Sequence, residues 1–148
     1  SHLRRRRGQA SARVRRPPVP VTAVVGVHHV QVAAPPGCEE AARAFYGGLL
    51  GLREIEKPPV LARRGGCWFE VGAGELHVGV ESPYRPAEKA HPAFDVGSVA
   101  ALEEFAISLA SAGVGVRWAD DAEIPGQRRF HVSDPWGNRL ELIATATV

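Results

Sequence analysis

An internal repeat restricts the fold of this chain more than any other feature. From residue 27 onward the order strand, helix, then two or three strands occurs twice. "VHHVQVA" (27–33) alternates like a strand. "PPG" stops it, and "CEEAARAFYGGLLG" (38–51) has helical spacing, with acids at its start and glycines at its end. "GCWFEVG" and "ELHVGVE" alternate on either side of Gly72-Ala73-Gly74, a hairpin pattern. In the second round "HPAFDV" (91–96) is the strand, and "SVAALEEFAISLASAG" (98–113) is a helix with Ser98 as its N-cap and Gly113 as its stop. "VGVRW" is a further short strand, and "QRRFHVSD" and "NRLELIA" form a second hairpin around Asp134-Pro135-Trp136-Gly137. Laying one half on the other pairs His29 with His91, Phe69 with Phe130 and His77 with Glu141, at offsets of 62, 61 and 64. Duplication of this kind sets an architecture before any detail is known.

Successive strand side chains point to opposite faces, so parity sorts each strand into two sets. In the first strand Val30 and Val32 share a face with His28, while His29, Gln31 and Ala33 take the other. In the three corresponding strands Phe94 and Val96 oppose His91 and Asp95, Leu76 and Val78 oppose His77, and Leu140 and Leu142 oppose Arg139 and Glu141. Every strand thus offers an aliphatic face for helices and an opposite face bearing histidine or glutamate. An antiparallel sheet with one wet face satisfies the same pattern without any site. The recurrence of His and Glu at pseudo-equivalent places in both halves favours a site on a concave face.

Composition narrows the class. The chain has 148 residues, 45% of them hydrophobic, which suits one globular domain. Seven arginines and no acid lie in residues 1–24, leaving eleven basic against sixteen acidic side chains in the rest, a net charge of −5. An acidic body repels phosphate, so no nucleic-acid partner is expected. No apolar run has the length of a membrane span, so no membrane partner is expected either. The expected organisation is a basic, disordered tail (1–24) and a single domain (25–148) with modules at about 25–84 and 88–146. Two cysteines, Cys38 and Cys67, are too few for a disulfide scaffold and match no metal spacing; reduced thiols in the cytoplasm are the plain expectation.

The run "HHVQVAAP…AFYGGLLGL…WFEVG…LHVGV…HPAFDV…LASAGV…FHVSDPWGNRLELI" resembles the vicinal-oxygen-chelate superfamily, which includes glyoxalase I, extradiol dioxygenases and the fosfomycin- and bleomycin-resistance proteins. "FYGGLLGL" and "DPWGNRLEL" are the most specific parts, and the likeness covers about residues 25–145. It implies an α+β fold: two βαβββ modules forming a cupped mixed sheet with helices on its convex face, in a homodimer. It also implies one divalent metal ion held by His29, His91 and Glu141, with the fourth family position falling on His77. Glyoxalase I has a glutamate at that fourth position, so Glu141 is the one metal-site carboxylate left here as catalytic base. The likeness leaves open whether one site draws its ligands from one chain or two.

Two or three imidazoles and a carboxylate suit Zn, Fe, Mn, Ni or Co. Such an ion acts as a Lewis acid on a substrate with adjacent oxygens, and a two-His-one-carboxylate subset also suits oxygen chemistry at iron. Parity adds a substrate-binding lining of Gln31, Trp68, Glu70, Arg129 and His131, and "DDAEIPGQRR" (120–129) is a candidate flap. The expected function is a metal-dependent small-molecule lyase, isomerase, transferase or dioxygenase. A metal-free sequestering protein of the bleomycin-resistance type is the alternative.

Overall fold

The computed structural model describes residues 23–146. The arginine-rich stretch lies outside the described residues except for its last two positions.

Two four-stranded mixed sheets form the body, each built from one repeat. In the first, β1 (His29–Ala34), β2 (Arg53–Ile55), β3 (Cys67–Val71) and β4 (Gly74–Val80) stand in the order β1-β4-β3-β2. In the second, β5 (Ala93–Asp95), β6 (Arg117–Trp118), β7 (Gln127–Ser133) and β8 (Arg139–Thr145) stand in the order β5-β8-β7-β6. The strand before each helix runs parallel to the last strand of its module, and the remaining pairs are antiparallel. This is the expected βαβββ arrangement in duplicate, an α+β fold with no closed barrel.

The helices cover the aliphatic faces. Helix α1 (Glu39–Ala42) runs on as a wide-turn π segment, Arg43–Leu49, in which the Leu50 N–H reaches back five residues to Phe45 O at 2.9 Å. Gly47 and Gly48 lie within this segment. A short α2 (Pro59–Ala62) fills the loop before β3, and α3 (Val99–Ser111) carries Leu102, Ala106 and Leu109 inward at helical spacing. Ser98 caps α3 as expected, its Oγ accepting from Ala101 N at 3.1 Å. Most of both aliphatic strand sets is buried, among them Val32, Phe69, Leu76 and Val78 in the first module and Phe130, Val132, Leu140 and Leu142 in the second; Val30, at the start of β1, is exposed instead. Cys38 and Cys67 are free and buried in the same core; burial pushes the Cys67 thiol up to about 11.

Register corrects one detail of the repeat. His77 lies opposite Trp68, and Glu141 lies opposite His131. Equating His77 with Glu141 therefore carries Trp68 onto His131 and Phe69 onto Val132, not onto Phe130. The longer turn between β7 and β8 absorbs the two-residue difference. A slip of two preserves the face, so the parity assignment stands.

The modules are joined by a buried polar knot at the second hairpin turn. Asp134 is 5% exposed and accepts four hydrogen bonds. Its Oδ1 takes Trp136 N at 3.0 Å and Asn138 N at 2.8 Å, and its Oδ2 takes Asn138 Nδ2 and the Tyr46 hydroxyl, both at 2.8 Å. Asn138 Nδ2 also donates to Ala33 O at 2.7 Å, and Tyr84 donates to Asn138 Oδ1 at 3.1 Å. Gly137, at φ 92°, closes the turn in a conformation that other residues adopt only with strain. Burial first, then the Asp134 charge, drives the Tyr46 phenol far above its ordinary range, so it remains a donor at all working pH values. Removing that hydroxyl leaves Asp134 with three of its four donors. We expect Tyr46→Phe to lower the unfolding free energy by about 1.5–3 kcal/mol in urea titrations, the range for a hydrogen bond to a charged group. A change within error would show that the knot does not brace the modules.

Candidate metal and substrate site

The faces opposite the helices carry the candidate side chains in two clusters. On the second module His91, His131 and Glu141 bring one donor atom each within 4.8 Å of one another. Glu141 stands on β8 directly across from His131 on β7, and the Glu141 N–H donates to Pro92 O, which sets the chain just after His91 beside it. His91 precedes β5 instead of belonging to it, so parity placed it on the right face although the strand begins two residues later. Its Nδ1 lies 2.8 Å from Lys89 O. Arg139 Nη2 lies 3.0 Å from the same nitrogen, so Nδ1 is engaged and Nε2 is the ring nitrogen left for a metal.

Glu141 has cationic neighbours. Its Oε1 accepts from Arg129 Nη1 at 2.8 Å and lies 3.1 Å from His131 Nε2. Arg129 also binds Glu123, in the loop between β6 and β7, at 2.5 Å. The loop expected as a flap is thus tied through one guanidinium to the cluster. Burial holds the His131 imidazole below its usual range; Arg139, Arg129 and His91 push the same way, and Glu141 opposes them. The neutral imidazole is the form that carries a free lone pair.

The first module holds a different arrangement. His77 is 5% exposed and is sandwiched, with Trp68 at 4.0 Å and 5° on one side and His29 at 4.2 Å and 14° on the other. These are stacked planar rings, the geometry such side chains favour when offset. His77 Nε2 lies 2.9 Å from Glu75 Oε1, and that contact is the main reason the Glu75 carboxyl sits below its usual range. His28 is exposed and lies edge-on to His29, with the two Nδ1 atoms 3.0 Å apart. Gln31 pairs with His77 across β1 and β4. Glu70 lies beside Glu75 in register and binds Arg53.

Of the four residues expected to share an ion, the single chain therefore brings His91 and Glu141 together, with His131 as the third donor; His29 and His77 lie in the other cluster. The lining residues Gln31 and Trp68 stand beside His77, and Arg129 and His131 stand on Glu141. Glu75 was missed by sequence reasoning, although it lies two residues from His77 and parity gives it the same face. The donor set suits the implied group: two imidazoles and one carboxylate, with oxygen and nitrogen donors only.

Comparison with known proteins follows the same lines. Residues 26–142 match the Glyoxalase/Bleomycin resistance protein/Dioxygenase superfamily. The chain belongs to this superfamily. A solved structure described as a putative glyoxalase family protein from Bacillus anthracis is 50% identical, with a TM-score of 0.75 over 82% of this chain and 96% of that one. Lactoylglutathione lyase from Agrobacterium tumefaciens is 20% identical, with a TM-score of 0.64 over 82% of this chain and 95% of that one. A genomically encoded fosfomycin resistance protein from Listeria monocytogenes is 15% identical, with a TM-score of 0.65 over 82% and 93%. The last two show the superfamily fold alone. No curated protein matches the chain.

Proposed function

We propose that this superfamily member is a divalent-metal-dependent enzyme acting on a small molecule with adjacent oxygens. The observation that carries the reading is the convergence of His91, His131 and Glu141 within 4.8 Å. An ion bound there supplies Lewis acidity to substrate oxygens. Glu141 is the one carboxylate in the cluster and the group placed to hold a proton during turnover. Arg129 orients that carboxylate, holding its Oε1 at 2.8 Å. The Trp68–His77–His29 stack offers a flat aromatic wall for a planar substrate. His29 and His77 are assigned to complete the donor set, from the same chain or from a second copy. Among the described residues no helix is long and apolar enough to cross a membrane. A cytoplasmic setting is part of the proposal, supported by two free, buried thiols.

A homodimer belongs to the same reading. Val25, Val27 and Val30, at and before β1, are exposed, at 98%, 79% and 37%. An apolar surface at a sheet edge is the kind that a second copy covers. We expect light scattering to give twice the 15.9 kDa chain mass; a monomer at all concentrations contradicts the dimer.

One observation favours a metal-free binding protein as the second reading: Glu141 already has Arg129 and His131 as partners, so its carboxylate is paired without an ion. Titration of chelator-treated, untagged protein with Zn²⁺ and Mn²⁺ separates the two. We expect one ion per chain in the wild type. We expect His91→Ala and Glu141→Ala each to weaken binding by about 100-fold or more, since each deletes a donor instead of a supporting group. His131→Ala and His29→Ala, compared side by side, identify the third donor. Absence of binding to the wild type, or full binding by Glu141→Ala, contradicts the metal-dependent reading.

A further inference from the structure

Beside the donor cluster lies a cavity of about 390 Å³, between the outer edge of β1 and the start of β8. Gln31, Arg85, His91, Asn138 and Arg139 contribute its hydrogen-bonding groups, and Glu81, which is exposed, is its one acid. We propose that this cleft is an oxyanion-binding subsite built on Arg139, taking the carboxylate or phosphonate-type end of a small-molecule substrate. That the anion is part of the substrate rests on the metal-dependent reading, because His91 belongs to both the cleft and the donor cluster. The anion site itself does not depend on that reading.

Arg139 is a cation short of acceptors. On β7, Arg128 binds Glu103 and stacks on Trp118 at 4.3 Å, and Arg129 binds Glu141 and Glu123. None of the ion pairs among the described residues includes Arg139, and its Nε is buried without any hydrogen-bond partner. Its Nη2 lies 3.0 Å from His91 Nδ1. That nitrogen also lies 2.8 Å from Lys89 O, so the guanidinium and the carbonyl compete for it. The Nε–H of this guanidinium thus lacks an acceptor, and the planar fork to which it belongs matches a carboxylate or phosphonate.

The backbone adds donors. Glu81 N bonds Ala34 O and Glu75 N bonds His28 O, so the even-numbered residues of β1 turn their polar groups toward β4. In a parallel ladder the odd-numbered residues then face the other way, toward the cleft. Ala33 O is used there by Asn138 Nδ2, while the N–H groups of Gln31 and Ala33 face the same space. The Gln31 amide packs over Gly79, where an added Cβ would come within 2.9 Å of it. By the repeat, Arg139 also stands where the first module has Glu75, two residues before the equivalent of Glu141. The first module places an acid beside its histidine pair, and the second places an unneutralised cation.

Methylphosphonate and acetate are the probes, titrated into chelator-treated and Zn²⁺-loaded protein by calorimetry and by NMR of the arginine Nε–H signals. We expect saturable binding of at least one, with a downfield shift of one Nε–H signal that is missing in Arg139→Gln. The preferred probe tells a carboxylate substrate from a phosphonate-type one. Arg139→Gln should weaken binding at least about tenfold, the value of one charge-assisted fork, and Arg85→Gln less. Arg53→Gln, on the far strand β2, should leave it unchanged. Should Arg139→Gln not fold, Arg139→Lys replaces it: it keeps the charge but not the fork, and a threefold or greater loss supports the site. Failure of both probes to saturate the wild type, or equal affinity in the Arg139 variant that folds, overturns the proposal. Mn²⁺ affinity measured on the same samples keeps the two claims apart. Anion binding without metal binding removes the metal-dependent reading and leaves the subsite; metal binding without anion binding does the reverse.

Discussion

The placement of the site depends on how the Asp134 carboxylate is solvated inside the protein. A buried carboxyl group needs several donors, and here they come from two sources: the backbone and side chain of its own turn, and Tyr46 from the other module. The turn ends at Asn138, and β8 begins at the next residue. Whatever fixes Asp134 therefore fixes the height of β8, and with it Arg139 and Glu141. Asn138 extends the same knot to the edge of β1 through Ala33 O. One acid thus links the helix of the first module, the edge of its sheet and the strand that carries the second module's functional groups. Polar networks of this sort stabilise only when every member is satisfied, and this one is satisfied at each oxygen.

The duplicated modules present unlike chemistry on their matching faces. The first is a column of planar rings, Trp68, His77 and His29, with Glu75 against the middle one. The second is ionic: Glu141 held by Arg129 and His131, with His91 and Arg139 alongside. An ion and an anionic group both fit the second face, whereas the first suits a flat apolar surface. Superfamily membership fixes the scaffold; what this chain does with it is set by these side chains.

The strand faces and the order of the longer elements were legible in the sequence because period two and helical spacing are local; the short β2 and α2, three and four residues long, carry too little periodicity to be read. The same rule put His91 on the correct face even though it precedes β5, and it survived a repeat offset that was wrong by two. What depends on distant partners was not legible. Nothing in "DPWGN" announces that Asp134 meets Tyr46, 88 positions away. The π segment follows from a backbone bond between Leu50 and Phe45 that spacing alone does not distinguish from an ordinary helix ending at paired glycines. Glu75 escaped notice beside a tight turn, where acids are common for other reasons. His131 was legible as lining, but its place among the donors required the register of β7 on β8.

The central claim is that imidazole and carboxylate groups of the second module hold one ion. X-ray absorption on Zn²⁺-reconstituted, untagged protein tests it most directly. The account predicts one retained ion per chain, coordinated by at least two imidazoles and carboxylate oxygen, with no sulfur. An ion lost on buffer exchange, or a shell with a single imidazole or with sulfur, contradicts it.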